Sequence, residues 1–313
     1  MPKVPVGVEA PLSPPPKRRP TLRRFNRRQR ARARQWVIYA LTIAFLAFVA
    51  LNADWAKLQE VFFDPTIFKN LFPEIITVAT KNTIILAVLA FVGGMTLGLL
   101  LALMRLSSVR PYRWAALTYI EFFRGIPAIL TLILFGFVLP IALQIRVKEI
   151  LPFLGDYGTP AVGLAVVAGA YLAETIRGGI EAVPKGQMEA ARSLGMTHAG
   201  AMYSIIVPQA FRVMIPPLTN EFVLLIKDTS LIFVLGVSAS SQDLTFFSKA
   251  AVQSLFNGTP LVAAALMYLI ITLPLTALSR WLERRGGEVT GRKAKPALAQ
   301  AAPTLMDPLD EVT

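Results

Sequence analysis

Long uncharged segments constrain this chain more than any other feature. Residues 83–104 contain no Asp, Glu, Lys or Arg, and neither do residues 36–52. A helix of about 20 apolar residues, rising about 1.5 Å per residue, crosses a hydrocarbon core of about 30 Å. Because 54% of the 313 residues are hydrophobic and 16% are charged, the composition also favours a membrane protein. We predict an all-α membrane protein with six transmembrane helices, at residues 36–53, 83–104, 126–143, 159–180, 216–237 and 260–279.

Positive charge is concentrated beside the predicted spans. The formal net charge is +13, and residues 1–35 hold eleven Lys and Arg against one Glu, directly before the first span. Such a patch is typical of cytoplasmic retention and of contact with anionic lipids, so we expect no nucleic-acid partner. Arginines also follow the spans that end at 104 and 279, which predicts that both termini are cytoplasmic. The predicted organisation is a disordered basic tail (1–35), an accessory span (36–53), outer loops at 54–74 and 238–259, a transmembrane domain (75–285) and a disordered tail (286–313).

A polar connector joins the fourth and fifth predicted spans, from Glu174 to Pro208. Pro184 presets φ for a first helical turn, and Gly195 stands after a run of good helix formers, where a left-handed residue is preferred. Thr197 can cap a second short segment, which we expect to end before Pro208. Two short helices at a glycine corner, rich in Ala and Gly, predict a surface for a partner protein in the aqueous phase.

Two local patterns bear on how the spans pack. Gly94 and Gly98 lie four residues apart in the second span and permit close approach of a neighbouring helix, within the chain or at a dimer contact. Glu174, Arg177 and Glu181 fall at i, i+3 and i+7 near the inner end of the fourth span. They predict a salt-bridged stripe, and a substrate contact is the alternative role.

Polar groups interrupt the third and fifth predicted spans. Ionisable side chains inside a span cost several kcal/mol unless they are paired or hydrated, so they should face the bundle interior or a water-filled route. Pro127 should break the chain after Arg124-Gly125-Ile126, and Glu121 can pair with Arg124 one turn away. A transport route and a buried structural network both remain open. The candidate route residues are Glu121, Arg124, Asn220, Glu221, Lys227, Asp228 and Thr229.

Several kinds of chemistry are excluded by what the sequence lacks. No phosphate-binding loop of the form G-x-x-x-x-G-K-[ST] occurs, so we expect no ATP hydrolysis by this chain. There is no cysteine and a single histidine, His198, which leaves neither a metal cluster nor a Ser-His-Asp arrangement. Energy for transport would therefore come from a partner or from an ion gradient.

Several patches of the chain, in order, resemble one family. Glu189-Ala190-Ala191, with Gly195, Ile205, Val207 and Pro208 after it, is similar to the EAA loop of permeases in binding-protein-dependent ABC importers. That family prefers Leu where Val207 stands. The resemblance extends over about residues 75–285, to the branch that carries polar amino acids. Its further patches are Arg124-Gly125-Ile126-Pro127, Arg177-Gly178-Gly179, Pro184-Lys185-Gly186-Gln187, Pro208-Gln209-Ala210 and Lys227-Asp228-Thr229-Ser230-Leu231.

The resemblance implies a type I ABC importer permease of the bacterial cytoplasmic (inner) membrane, with a cytoplasmic coupling helix. A cytoplasmic ATPase dimer would hold ATP and Mg²⁺ and receive the connector, so this chain would bind no cofactor itself. An extracytoplasmic solute-binding protein would deliver a polar amino acid, and a second permease, identical or homologous, would complete the route. The side-chain class of the amino acid stays open. The coupling residues implied are Lys185, Gly186, Glu189, Ala190, Ala191 and Gly195.

Two other functions compete with this interpretation. In a secondary ion-coupled transporter, Glu174, Glu221, Lys227 and Asp228 would form a relay. Such a protein would not need a glycine-cornered helix pair and would usually show a repeat, which we do not find. A membrane scaffold without transport would not explain the charges in the fifth span.

Overall fold

The computed structural model describes residues 27–236, 238 and 240–289, and the chain divides into two compact units, residues 1–55 and 56–313. The first unit contains α1 (Arg27–Asn52), whose segment Arg34–Asn52 is long and apolar enough to cross a membrane. This agrees with the predicted accessory span. Helix α1 begins inside the stretch 1–35 that we predicted to be disordered, so that prediction is wrong from Arg27 onward. The remaining predictions for the tails concern residues 1–26 and 290–313, which lie outside the described part.

The second unit is built from helices of very different lengths. The long ones are α4, α9, α12 and α14, and α4 and α9 pack together most extensively. Short π or 3-10 turns connect several of them. In order, the helices are α2 (Trp55–Phe62), α3 (Pro65–Glu74), α4 (Lys81–Leu106), α5 (Arg110–Gly125), α6 (Ala128–Ile133), α7 (Leu139–Ala142), α8 (Val147–Ile150), α9 (Gly158–Glu181), α10 (Lys185–Ser193), α11 (His198–Ala201), α12 (Val207–Asp228), α13 (Leu244–Leu255) and α14 (Thr259–Val289).

The all-α membrane fold is confirmed, whereas the count of six spans is not. Within the described residues, four helical stretches are long and apolar enough to span a membrane: Arg34–Asn52, Trp55–Leu106, Pro152–Glu181 and Thr259–Arg284. A fifth is possible if α5 and the α6–α7 stretch form one span, bent by 107° where Pro127 stands. Helix α12 occupies the predicted fifth span but begins earlier and ends at Asp228. It is not among the four apolar stretches, because charged side chains interrupt its apolar sequence.

The predicted outer loop at 54–74 is wrong, because this segment is helical. Asp64 caps α3: its carboxylate accepts hydrogen bonds from the backbone N–H groups of Thr66 (2.8 Å) and Ile67 (3.2 Å). Pro65 then occupies the first helical position, where its missing N–H costs nothing. Leu71 is buried against α13 and α14, so packing favours helix over loop here.

The predicted loop at 238–259 is also wrong in part, since it contains α13. Asp243 caps this helix, accepting hydrogen bonds from the backbone N–H groups of Thr245 and Phe246 and from the hydroxyl of Tyr268. Burial raises the pKa of Asp243, while these hydrogen bonds act in the opposite direction. Phe247 of this helix is buried in the core.

The main hydrophobic core lies where α4 packs closely on α9. A Cβ built on Gly94 would lie 2.9 Å from Cβ of Ala168, and one on Gly98 would lie 2.9 Å from Cβ of Leu172. The two glycines therefore permit a close contact within the chain, which confirms the first of the two predicted roles. Because the residue numbers rise together along both helices, α4 and α9 run parallel. Leu106 and Glu181 thus lie at the same end of the bundle.

Candidate functional site

The connector forms the predicted glycine corner. Helix α10 starts directly after Pro184, and Gly195 adopts the left-handed conformation with φ +84°. The N–H of Gly195 donates to the carbonyl of Arg192 (3.0 Å), and the N–H of Met196 donates to that of Ala191 (3.2 Å). This pair of hydrogen bonds is a Schellman motif, which satisfies carbonyls at the end of the helix. A side chain at Gly195 would be strained.

Helix α10 presents one face to solvent and buries the other. Ala191 is buried, and Met188 packs against the main hydrophobic core. Lys185, Gly186, Glu189 and Ala190 are exposed. Leu194 is 85% exposed and was not among the predicted coupling residues.

The second half of the connector differs from the prediction. Thr197 does cap α11, accepting a hydrogen bond from the N–H of Gly200 (3.1 Å). The chain does not stop before Pro208, however, but continues through a π turn (Met202–Ile206) directly into α12. Pro208 lies in the first turn of α12, where a missing N–H is tolerated, and the π turn takes up the change of register. The connector and α12 are therefore mechanically continuous.

At the connector end of α9, Arg177 contacts two carboxylates of its own helix. Its Nη2 lies 2.6 Å from Oε2 of Glu174, and its Nη1 pairs with Glu181. This is the salt-bridged stripe that the spacing predicted. A relay through Glu174 is not supported, because that carboxylate is engaged by Arg177 and does not line the cavity that holds Glu221 and Asp228.

Glu221 and Asp228 line a small cavity among four elements of the bundle. They lie seven residues apart on α12, which puts them on one face, two turns from each other. Phe91 of α4, Tyr171 of α9 and Ala128, directly after the break at Pro127, line the other sides. The cavity measures about 20 Å³, enough for roughly one water molecule.

The other predicted route residues do not enter this cavity. Glu121, Asn220 and Lys227 are exposed. Thr229 is fully buried, and its hydroxyl donates to the carbonyl of Ile226 (2.8 Å).

Arg124 is exposed, and its Cζ lies 5.6 Å from the ring centroid of Tyr171. Both Glu121 and Arg124 are described, and no ion pair joins them, so the predicted pairing is wrong. The guanidinium of Arg124 contacts the ring of Tyr171 instead of the carboxylate of Glu121.

No pattern in the sequence indicated the aromatic lining of the cavity. Phe91 and Tyr171 are single aromatics within apolar spans, where most aromatics only fill the core. Among the described residues, no three His, Asp or Glu side chains are grouped so as to hold a metal ion.

At the end of the bundle opposite the connector, a distal cluster joins three segments. It consists of Asn82, Thr83, Tyr157 and the backbone of residues 240, 242 and 244. The amide of Asn82 donates to the carbonyls of Ser240 (2.9 Å) and Gln242 (3.0 Å) and its oxygen accepts the hydroxyl of Tyr157 (2.7 Å). Thr83 accepts from the N–H of Leu244 (3.1 Å).

A larger open cavity of about 250 Å³ lies beside the distal cluster. Asp156 on its wall accepts hydrogen bonds from Lys148 and from the hydroxyl of Ser238, each at 3.0 Å. Thr159 and Leu235 also line it. We call this space the vestibule.

Comparison with known proteins places the chain in a family. Residues 94–286 match the model of the binding-protein-dependent transport system inner membrane component. The probable glutamine ABC transporter permease of Bacillus subtilis is 38% identical over 206 residues, covering 65% of this chain and 89% of that protein. The arginine transport system permease of Corynebacterium glutamicum is 35% identical over 256 residues, covering 80% of this chain and 79% of that protein.

Solved structures agree with this assignment. An amino acid ABC transporter crystallised with histidines is 34% identical, with a TM-score of 0.63, covering 71% of this chain and 98% of that chain. A bacterial ABC transporter involved in import of the acidic polysaccharide alginate is 16% identical with a TM-score of 0.56, covering 83% and 99%, and supports the fold alone. The chain belongs to the family of binding-protein-dependent transport system inner membrane components.

Proposed function

We propose that this chain is the permease subunit of an ABC importer that carries amino acids, polar ones in particular, across the bacterial cytoplasmic membrane. One observation carries the proposal: an exposed helix, α10, leads through the glycine corner at Gly195 into α11, which continues through a π turn into α12, the helix whose carboxylates line the cavity. Relatives from different organisms, at 35% identity or more, are named for glutamine, cystine, arginine and glutamate/aspartate. All of these substrates are amino acids.

The connector end is cytoplasmic in this proposal. Arg105, Arg110 and Arg113 follow α4 without an acidic residue among them, and they lie at the same end as the connector because α4 and α9 run parallel. Clusters of arginine beside a span favour the cytoplasmic side. Both termini would then be cytoplasmic, and the distal cluster and vestibule would face a solute-binding protein outside.

A cytoplasmic ATPase dimer supplies the energy in this proposal, with ATP and Mg²⁺ bound there. Its cleft would receive α10 through Glu189 and Ala190, with the exposed side chain of Leu194 inserted beside them. Lys185 and Gly186 lie at the start of the same helix. Because Met188 packs against the core, a shift of α10 would be transmitted to the transmembrane helices rather than absorbed by the connector.

Glu221 and Asp228 would bind the ammonium group that all α-amino acids share. An amino acid needs far more room than the present 20 Å³, so α12 must move away from α9 before substrate enters. Alternating access requires each conformation to bind its partners with different affinity, which is where the free energy of ATP acts. A second permease subunit, identical or homologous, would face this one and close the route.

The test is reconstitution with the cognate ATPase and solute-binding protein. Glu189→Lys should abolish ATP-dependent uptake and co-purification of the ATPase while membrane insertion is retained, because it reverses a charge on the exposed face of α10. The matched control is Glu149→Lys, which makes the same change on an exposed glutamate at the other end of the bundle. Normal ATPase binding by Glu189→Lys, or uptake that a protonophore blocks and vanadate does not, would overturn the proposal.

A further inference from the structure

Asn82 is the centre of the distal cluster. It lies in the first turn of α4 and is only 3% exposed. Its two amide hydrogens reach carbonyls of the segment after α12, and its oxygen accepts the hydroxyl of Tyr157, the residue that precedes α9. The amide thereby uses both of its donors and its acceptor, and one side chain joins three parts of the fold.

The neighbouring residue repeats the connection. Thr83 is fully buried, and its hydroxyl oxygen accepts the N–H of Leu244. Two consecutive side chains of α4 therefore hold one short segment, residues 240–244. Buried hydrogen bonds in such a group depend on one another, because breaking one leaves its donor and acceptor unpaired in an apolar environment. We therefore expect these hydrogen bonds to break together rather than one at a time.

The distal cluster lies where the vestibule and the inner cavity are separated. Thr159 and Pro160 of α9 line the vestibule, and Leu164, one turn further along, lines the inner cavity. On the facing segment, Leu235 lines the vestibule while Asp228 lines the cavity. The wall between the two spaces thus consists of the start of α9 and the turn after α12. Asn82 and Tyr157 join the residue before α9 to residues 240 and 242, which follow that turn in the chain.

We propose that Asn82 and Tyr157 are positioning residues that keep the outer end of the permease closed. Their hydrogen bonds to each other and to residues 240 and 242 must break before substrate passes from the vestibule to the carboxylates. The inference rests on the proposed function for the direction of transport and for the identity of the passing solute. Motion of α12, driven from the connector, would reach residues 240–244 through the 3-10 turn Thr229–Leu235.

The absence of cysteine from this chain makes the test direct. Val167→Cys introduces a single thiol on the wall of the inner cavity. The permease–ATPase complex is reconstituted in vesicles, and a membrane-impermeant maleimide is added from the extracytoplasmic side without nucleotide. We expect slow labelling in the parent and at least ~5-fold faster labelling with Tyr157→Phe, since one hydrogen bond is worth about 1 kcal/mol. Asn82→Ala should increase the rate further.

Tyr119→Phe is the matched control. The hydroxyl of Tyr119 also bridges two helices, donating to the carbonyl of Val166 (2.8 Å), but it lies away from the distal cluster. Its loss should leave labelling from the outside unchanged. A general loosening of the fold would instead raise labelling from both sides of the membrane and in the control as well.

The possible outcomes separate this inference from the proposed function. Unchanged outside labelling in an assembled Tyr157→Phe complex, or an equal increase in Tyr119→Phe, overturns the role of the distal cluster. Tyr157→Phe removes a single oxygen, so it keeps the test decisive if Asn82→Ala fails to assemble. Loss of ATPase co-purification after Glu189→Lys would still support the proposed function in that case, because it concerns the other end of the bundle.

Discussion

The two ends of the transmembrane unit are held together in different ways. At the distal end, side chains bond to residues far away in the sequence: Asn82 to Ser240, and Thr83 to Leu244. At the connector end, Arg177 bonds to Glu174 and Glu181 of its own helix, and Ser193 donates to the carbonyl of Glu189 one turn away. The distal end therefore depends on contacts between elements, whereas α10 and the end of α9 are stabilised largely within themselves.

This difference suits a protein that is driven from one side. A helix whose polar groups are satisfied internally can move as a rigid body without leaving buried groups unpaired. Opening the distal end, in contrast, breaks several bonds at once and so behaves as a switch between two states. The two ends should therefore respond differently to substitution.

The largest effect is expected from Asn82→Leu. This change removes three hydrogen bonds and leaves the carbonyls of residues 240 and 242 without their donor in an apolar place, which should cost about 3–5 kcal/mol. Thermal unfolding of the purified protein measures it. Asn52→Leu is the control, since the amide of Asn52 donates only to the carbonyl of Phe48 in its own exposed helix. Equal destabilisation by the two variants would remove the contrast between the ends.

Features held together by neighbouring residues could be predicted from the sequence, whereas features held together by distant residues could not. The glycine corner, the stripe around Arg177 and the break at Pro127 are encoded by neighbouring residues, because turn chemistry and helical spacing act over a few positions. The role of Asn82 is not encoded locally: its partners lie about 75 to 160 residues away, and a lone asparagine at the start of an apolar run has no pattern of its own. Helix α13 was missed for a similar reason, since burial of Phe247 against distant helices decides it.

The cavity was predicted only in part. A charge in a span must face a protected route or a partner, which identified Glu221 and Asp228. The same rule also selected Lys227, which is exposed, because adjacent residues on a helix point about 100° apart and only one of them can face the cavity. The rule therefore identifies the helix that carries the cavity residues, whereas packing determines which side chains of that helix face the cavity.

An intermediate effect is expected from Gly195→Ala at the connector end. Placing a side chain at φ +84° costs about 1–2 kcal/mol, and this strain acts on the end of α10. We expect about tenfold weaker binding of the ATPase in titrations with purified subunits, with the unfolding temperature of the spans nearly unchanged. The control is Gly178→Ala on α9, where a Cβ meets no atom within 4 Å and φ is not positive. A large loss of global stability would contradict the view that α10 is a self-contained unit.

The smallest effect is expected at the stripe on α9, and it tests how far the connector end relies on internal contacts. Glu181 is half exposed, so its ion pair with Arg177 is screened by water, and Glu181→Gln should cost no more than about 0.5 kcal/mol. Glu174 is more buried, and its carboxylate holds Arg177 through two nitrogens, so Glu174→Gln should cost about 1 kcal/mol. Chemical unfolding in detergent measures both. Because Arg177 keeps one partner after either change, the double variant should lose more than the sum of the single ones. Simple additivity would mean that the two carboxylates do not share the guanidinium, and that the inner end of α9 is held by packing against α4 instead.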